Sequence, residues 1–198
     1  MADVYAVFVE GLGALRDVEE LKRDVALKAV QAINKTADQA RTKSDREIRA
    51  QVAFPATYLS PSTGRLTVSQ RARRGDLEAR IKGRHRPTSL ARFATKSGKA
   101  VNVEVKPGLS TFLPRAFLIR LRAGSGITET KFNQGLAIRL KPGETLRNKK
   151  QAIRMASGLY LLYGPSVDQV FRDVAVDISP ETALRLEQEF LRLMDTDF

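Results

Sequence analysis

Residues 158–167 read Gly-Leu-Tyr-Leu-Leu-Tyr-Gly-Pro-Ser-Val, and this stretch contains the clearest secondary-structure signals in the chain. Leu159 to Tyr163 form a short apolar and aromatic run flanked by glycines, which predicts a buried strand. Pro165 ends that strand because proline fixes φ and has no N–H to donate. Ser166 is a favourable N-cap for a helix that begins at the next residue. The stretch therefore predicts a strand, a tight turn and a helix.

The helix predicted after the turn is amphipathic, because apolar residues recur on one face at helical spacing. These residues are Val167, Val170, Phe171, Val174 and Ile178. We expect this face to be buried, and Phe171 in particular. The turn has neither the glycine spacing nor the lysine of a phosphate-binding loop. We therefore interpret one set of residues as a structural motif rather than a ligand site: Tyr163, Gly164, Pro165, Ser166 and Phe171.

Length and composition limit the class of protein. The chain has 198 residues, of which 42% are hydrophobic, enough for one sizeable domain or two small ones. We interpret residues 1–198 as a single domain. The absence of cysteine excludes disulfides, thiolate metal sites and cysteine nucleophiles. Because there is no signal-peptide pattern and no apolar run near the roughly 20 residues that span a bilayer, we expect a soluble intracellular protein without membrane contact.

Residues that carry catalysis are too sparse to predict an enzyme. The single histidine, His85, lies between Arg84 and Arg86, where a solvated loop residue is expected. One histidine argues against Ser–His catalysis and against multi-histidine metal sites. The carboxylates are scattered along the chain, and Glu187 and Glu189 point apart on a predicted helix. We expect no catalytic residue, no metal and no cofactor.

The net charge of +12 is distributed unevenly along the chain. Residues 1–40 contain 5 Lys/Arg and 7 Asp/Glu, residues 41–154 contain 26 and 7, and residues 155–198 contain 3 and 8. The middle segment therefore has a net charge of +19, and the ends have −2 and −5. Such asymmetry indicates contact with a polyanion or with acidic protein surfaces, or basic loops that only maintain solubility.

The pattern of apolar residues predicts an α+β fold. A strand is expected at Val4–Val9, followed by a long helix from Asp17 that ends by Phe54. Pro180 either begins a second C-terminal helix or lies inside one long helix. We predict a long N-terminal helix packed on an antiparallel sheet of about six strands, with C-terminal helices. The further predicted strands are Leu66–Gln70, Leu77–Ile81, Ala100–Val105, Ala116–Leu121, Gly135–Leu140 and Leu159–Tyr163.

Basic loops are predicted near residues 55–64, 83–99 and 122–132, and a basic hairpin turn at residues 71–76. The segment 83–99 has no acidic residue and is rich in Ser, Thr and Gly, which predicts a mobile arm. Loops present charged side chains to a phosphate backbone or an acidic partner. Aromatic residues do not alternate with the basic ones, so DNA contact would be to phosphates. The candidate contact residues are Arg71, Arg73, Arg74, Arg84, Arg86, Arg92, Lys96 and Lys99.

Four segments resemble the prophage minor tail protein Z family, the tail-completion proteins of long-tailed phages. The most specific is Leu162-Tyr-Gly-Pro-Ser-Val167, which leads into a C-terminal helix. The other three segments are the alanine-rich helix with its basic end at Val25–Arg49, Ala79-Arg-Ile-Lys82, and Pro114-Arg-Ala-Phe-Leu-Ile119. The segment 83–99 has no counterpart in the family.

The resemblance implies a structural virion protein without enzyme activity. Such a protein would act late in tail assembly, in the host cytoplasm, at the neck where tail and capsid join and DNA passes. The resemblance also implies a homo-oligomer, a hexameric ring in contact with other neck or tail proteins such as the tail terminator or tail tube. DNA in the channel would be a further partner. The alternative is a non-specific nucleic-acid-binding protein that uses its basic loops as a monomer or dimer.

Overall fold

The computed structural model describes residues 23–97, 100–121, 134–146, 149–156 and 158–195. Within these ranges and in chain order, one long helix precedes and another follows a set of antiparallel strands. The helices are α1 (Arg23–Gln51) and α2 (Val167–Asp195). The predicted strand at residues 4–9 and the predicted helix start at Asp17 lie outside the described residues. None of the described helices is long and apolar enough to cross a membrane.

In the part of the chain that the structure describes, the strands are short and are connected by turns and three short 3-10 helices. The 3-10 helices are Pro61–Thr63, Leu90–Phe93 and Lys149–Gln151. The strands are β1 (Leu66–Gln70), β2 (Arg80–Gly83), β3 (Thr88–Ser89), β4 (Ala94–Ser97), β5 (Ala100–Lys106), β6 (Leu109–Leu113), β7 (Ala116–Arg120), β8 (Gln134–Arg139), β9 (Ala152–Ala156) and β10 (Leu159–Gly164).

The chain divides into two compact units. Unit 1 comprises residues 1–48, 59–84 and 168–198, and it contains most of α1, the β1–β2 pair and α2. Unit 2 comprises residues 49–58 and 85–167, and it contains β3 to β10. The single domain over residues 1–198 stays a prediction.

The buried face of α1 consists mainly of small residues, which allow neighbouring elements to approach closely. Its alanines at positions 29, 32, 37 and 40 are buried, together with Ile33. The helix ends at Gln51, four residues before Pro55, as the sequence predicts. The core of unit 1 joins this face to the β1–β2 connection and to α2 through Ala32, Ile33, Ala37, Ala72, Ala79 and Leu186.

β1 and β2 form an antiparallel pair in which Leu66 lies opposite Gly83. The second strand was predicted at Leu77–Ile81, and the structure places it at Arg80–Gly83. Pairing is limited by β1, whose last residue, Gln70, lies opposite Arg80. Residues 77–79 therefore have no strand beside them, and Leu77 instead packs against the core cluster of unit 1.

α2 is one continuous helix of 29 residues with Pro180 inside it, which is the second of the two predicted alternatives. Proline cannot donate a hydrogen bond to the carbonyl four residues earlier, that of Val176. Val176 is exposed, so water can reach that carbonyl. The C-terminal helices of the sequence prediction are thus a single helix. Its first half buries the whole predicted apolar face: Val167, Val170, Phe171, Val174 and Ile178.

Unit 2 contains two antiparallel sheets rather than part of one six-stranded sheet. The larger has the order β3-β10-β8-β7, with β9 also paired to β10, and the smaller has the order β4-β5-β6. The predicted strands exist, but the sequence pattern did not identify their partners. It also missed β6 and β9. β6 is exposed along most of its length, so it lacks the apolar alternation that marks a half-buried strand.

β10 is the central strand of the larger sheet. Leu159 to Leu162 pair with β8 on one side and with β9 on the other, whereas Tyr163 and Gly164 pair with β3. A Cβ atom on Gly164 would lie 3.0 Å from Leu90 Cδ2 and 3.4 Å from Phe93 Cε2. The glycine of the predicted structural motif therefore allows close packing on the 3-10 helix that follows β3.

The prediction of a mobile, structureless arm at residues 83–99 is wrong for most of that segment. β3, the 3-10 helix Leu90–Phe93 and β4 occupy it. Phe93 and Thr88 are buried, and the Phe93 ring lies 5.5 Å from that of Phe54, centroid to centroid. These two buried side chains anchor a segment that looked polar in sequence. The loop at 55–64 is likewise anchored by the buried Tyr58 and Leu59, and residues 122–132 lie outside the described ranges.

Candidate functional site

The basic connection between β1 and β2 is held on α1 by two polar side chains. Asn34 accepts the backbone N–H of Ala72 at 2.9 Å and donates to the Ala72 carbonyl at 3.1 Å. Asp38 accepts two hydrogen bonds from the Arg71 guanidinium, at 2.8 and 3.0 Å. The hydrogen bond from Arg71 to Asp38 raises the pKa of Arg71. Of the candidate contact residues, Arg71 is thus already engaged within unit 1.

The next two candidates lie in a tight turn that is fixed by its own backbone. Arg73 and Asp76 exchange N–H···O hydrogen bonds of 2.8 and 3.0 Å. Arg73 and Arg74 are exposed. Because the turn is closed and the preceding residues are fixed on α1, these two guanidinium groups project from an ordered base.

The remaining five candidates follow β2. Arg84 is half-buried in unit 1, while Arg86 is exposed in unit 2. The Arg92 guanidinium lies 4.8 Å from the centre of the Tyr58 ring, a cation–π contact that partly buries it. Lys96 lies in β4, and Lys99 is outside the described residues. The eight candidates thus divide equally between the two units rather than forming one cluster.

The two units also differ in net charge. Unit 1 contains 18 Lys/Arg and 19 Asp/Glu, a net charge of −1. Unit 2 contains 16 Lys/Arg and 3 Asp/Glu, a net charge of +13. Three acids cannot neutralise sixteen bases, so most cations of unit 2 have no intramolecular counter-ion within that unit. Unit 2 is therefore the electropositive part of the molecule.

Ion pairs link α1 to α2 within unit 1. Lys35 donates to Glu189 at 2.8 Å, and Lys43 pairs with Glu181. Arg192 also donates to Glu189, at 2.6 Å. Hydrogen bonds from Arg192, and then from Lys35, lower the pKa of Glu189 to about 2. The hydrogen bond from Lys43 likewise lowers the pKa of Glu181.

A groove of about 720 Å³ lies between α1 and α2 in unit 1. Thr36, Ala40 and Thr182, all buried, contribute to its lining. Both of its carboxylates, Asp38 and Glu181, are engaged in ion pairs, and it contains no histidine. Within the described ranges, no group of three or more acidic or histidine side chains is placed to hold a metal ion.

α2 presents an exposed face that carries both apolar and acidic side chains. Val176, Leu184 and Leu191 are 73%, 54% and 52% exposed. At 3.6 residues per turn, these three positions fall within about 80° of one another around the helix. The outer face of α2, as we define it, consists of Asp173, Val176, Asp177, Pro180, Leu184, Glu187, Leu191 and Asp195.

Unit 2 has a second exposed surface on an edge strand. Within the described residues, β9 pairs with β10 on one side and with no strand on the other. Ile153 and Met155 are 54% and 52% exposed, and Arg154 between them is also exposed. Lys149, in the 3-10 helix before β9, is exposed as well. We name the residues Lys149, Ile153, Arg154 and Met155 the β9 edge.

The comparison with known families decides the class of protein. The model of the prophage minor tail protein Z family matches residues 9–194, which is most of the chain. This chain belongs to the prophage minor tail protein Z family. Its role is accordingly that of a structural tail protein of the virion, in contact with other phage tail proteins.

The other comparisons add no relative. Neither the curated proteins nor the solved structures contain a match to this chain. The family match confirms the resemblance stated from the sequence, which rested on segments between Val25 and Val167. The match extends across residues 83–99, the segment for which the sequence offered no counterpart.

Sequence reasoning missed the outer face of α2 and the β9 edge. The outer face of α2 was missed because its three apolar residues alternate with acids in the sequence. The buried face of the same helix has more apolar residues and dominates the pattern. The helical spacing of Val176, Leu184 and Leu191 was the available signal. The β9 edge was missed because the sequence analysis predicted no strand between Leu140 and Leu159.

Proposed function

We propose that this chain completes the tail of a long-tailed phage at its head-proximal end and helps to join tail to head. In this proposal it acts without catalysis, as a ring of about six subunits around the DNA channel. The observation that carries the proposal is the net charge of +13 in unit 2, where three acids accompany sixteen bases. A surface of that kind calls for a negatively charged neighbour, and the neck provides two: DNA and the acidic surfaces of other proteins.

Of these two neighbours, we favour an acidic protein. DNA must slide through the channel, and strong binding to phosphates would oppose that movement. Arg71 and Arg92 are already engaged within the chain, which leaves Arg73, Arg74 and Arg86 as exposed cations among the described candidates. A few exposed guanidinium groups on ordered turns suit a defined protein contact, because bidentate pairing with carboxylates needs fixed geometry.

The placement of the protein is tested in the phage itself. We expect deletion of the gene to give full heads and separate tails, and complementation to restore joined particles. A label on the protein should be seen by electron microscopy at the neck of the restored particles. Normal joining without the protein, or a label at the distal end of the tail, would contradict the proposal.

The charged contacts are tested by replacing Arg73, Arg74 and Arg86 with Gln. A matched control replaces Arg172, Arg185 and Arg192, which pair with acids on their own helix. If the partner is an acidic protein, the first variant should fail to join tails to heads while its weak DNA binding is kept. The control should assemble normally.

A DNA partner predicts a different result from the same variants. The log of the binding constant for duplex DNA should fall with log salt at a slope of about −0.9 per phosphate neutralised, and the first variant should flatten that slope. Strong salt-dependent binding by a protein absent from the virion would instead support the non-specific nucleic-acid-binding alternative. Normal assembly of the first variant would leave solubility as the role of these charges.

A further inference from the structure

The outer face of α2 combines apolar area with acidic charge that unit 1 does not use. No ion pair or hydrogen bond of Asp173, Asp177, Glu187 or Asp195 side chains is present among the described residues. The arginines of α2 lie off this face, where they pair with Asp168, Glu181 and Glu189. Four acids and three exposed apolar side chains thus share one side of a helix with no cation among them.

The β9 edge has the complementary composition. Its two exposed apolar side chains, Ile153 and Met155, lie two residues apart, and Met155 stands at a register shift between β9 and β10. Its cations, Lys149 and Arg154, have no ion pair among the described residues. An open strand edge with exposed apolar side chains is a surface that proteins commonly cover with another element, often a helix.

We propose that the outer face of α2 in one copy of this chain covers the β9 edge of the next copy. Leu184 and Leu191 would contact Ile153 and Met155, while acids of the helix would face Lys149 and Arg154. The dimensions agree: the stretch from Val176 to Leu191 is about 22 Å long, and a five-residue strand is about 17 Å long. This proposal rests on the ring proposed above and names the contact that would build it.

A second copy is the occupant that the composition favours. The two surfaces belong to one chain, differ from one another, and are complementary in both charge and apolar content. A contact between two different surfaces is heterologous, so each copy can bind one neighbour on each side, and such contacts form a ring when the rotation between copies closes. The same acidic face against a different tail protein would leave the β9 edge uncovered.

The contact is expected to be weak between free copies. A helix face on a single strand is a small interface, at the low end of the roughly 1,200–2,000 Å² that stable complexes bury. Attraction between exposed charges is screened by salt at physiological ionic strength. Assembly at a tail end would hold several copies together and raise their effective concentration.

Cysteine cross-linking tests this contact, because the native chain has no cysteine. Purified Leu184→Cys is mixed with purified Ile153→Cys under mild oxidation, and the mixed disulfide dimer is measured. We expect at least about tenfold more of it than from a control mixture of Leu184→Cys with Leu109→Cys. Leu109 is a matched control because it is also a leucine-sized apolar residue on an exposed strand of unit 2. Equal yields from the two mixtures would overturn the proposal.

The chain that carries both Leu184→Cys and Ile153→Cys should form a series of cross-linked oligomers on a non-reducing gel. The largest of them, the fully cross-linked ring, gives the number of subunits. Blocked copies give an independent test in buffer without oxidant. One double variant carries Leu184→Gln and Leu191→Gln, and the other carries Ile153→Gln and Met155→Gln. Each should remain monomeric at high protein concentration. A mixture of the two should form dimers only, because one good contact remains. Longer oligomers from either blocked variant would exclude this contact.

These outcomes separate the contact from the proposed function. A protein that is found at the neck but gives no Leu184–Ile153 cross-link, free or in particles, refutes the contact and keeps the function. A protein that cross-links through these positions but is absent from the neck keeps the contact and refutes the function. We expect each variant to have the same melting temperature as the native chain, which would show that the substitutions at these exposed positions leave the fold intact.

Discussion

Unit 1 and unit 2 differ in how they use charge. Unit 1 is dominated by two long helices, and its nearly equal numbers of acids and bases pair across elements, as in Lys35 with Glu189. Unit 2 is dominated by short strands, and its cations greatly outnumber its acids. Arg115 and Glu144 form an ion pair among its described residues, and Glu144 is one of only three acids in unit 2.

The comparison shows that the two units depend on different interactions. Helices of unit 1 are held by a buried apolar stripe and by ion pairs between facing side chains. Strands of unit 2 are held by backbone ladders and by close packing at glycines such as Gly164, while their charges face outward. Stability is therefore expected to respond to core truncation in unit 1, to backbone strain in unit 2, and only weakly to surface charge in either.

The largest expected effect comes from truncating the core of unit 1. Phe171 is fully buried, so Phe171→Ala should lower the free energy of unfolding by about 3–5 kcal/mol. Val176→Ala on the same helix is the control, and it should change stability by about 0.5 kcal/mol or less because Val176 is exposed. Denaturant unfolding measures both. An unchanged midpoint for Phe171→Ala would remove this residue from the core.

The next effect tests backbone strain in unit 2. Gly158 has φ of 73°, and a Cβ atom there would lie 2.7 Å from the Leu140 carbonyl oxygen. Gly158→Ala should therefore cost about 2–3 kcal/mol, combining left-handed strain with a backbone clash. Gly108→Ala isolates the strain, because Gly108 has φ of 74° and no atom within 4 Å of its added Cβ. If both variants lose the same stability in thermal unfolding, the clash at Gly158 is not real.

A smaller effect concerns the ion pairs of unit 1. The pKa of Glu189 is about 2 in the folded chain and about 4.3 when unfolded, so the folded state is stabilised above pH 4.3. Glu189→Gln should cost about 1 kcal/mol at pH 7 after allowance for solvent screening. The difference from the wild type should shrink as the pH falls from about 4.3 towards 2. A pH-independent difference would show that packing, rather than ionisation, is responsible.

The smallest effect is expected for an exposed pair. Arg71 and Asp38 form a bidentate contact, yet both side chains are more than half exposed. Asp38→Asn should lower the unfolding free energy by about 0.5 kcal/mol or less, and less still in high salt. Arg73→Gln, at an exposed position in the neighbouring turn, should leave the unfolding free energy unchanged. A loss as large as that of Glu189→Gln would show that the basic connection is more important to the unit 1 fold than its exposure suggests.

Much of the fold was accessible from the sequence because its signals are local. The apolar spacing from Val167 to Ile178 predicted the buried face of α2, and the runs at Leu66–Gln70 and Leu159–Tyr163 predicted strands within a residue of their observed ends. Pro180 was ambiguous, since the cost of its missing N–H depends on whether water can reach the Val176 carbonyl. That is a property of the packed helix rather than of its sequence.

The candidate contact residues were predictable only as a list of basic positions. The sequence could not distinguish Arg71, which pairs with Asp38 across 33 residues of chain, from Arg73 and Arg74, which are exposed nearby. It also could not show that Arg92 lies over the Tyr58 ring. Such pairings arise between residues far apart in the chain, so only the folded backbone brings them within contact distance.

The sequence by itself determined the family, the basic character of the middle of the chain, and the α+β class with a long helix near the N-terminus and a helical C-terminal segment. These follow from residue identity and from periodicities of a few residues. Tertiary structure alone decided which strands pair, that the strands divide into separate sheets, and that unit 2 carries a net charge of +13 while unit 1 is nearly neutral. The physical reason is that strand partners, exposed faces and charge clusters depend on contacts between distant segments, which local periodicity does not encode.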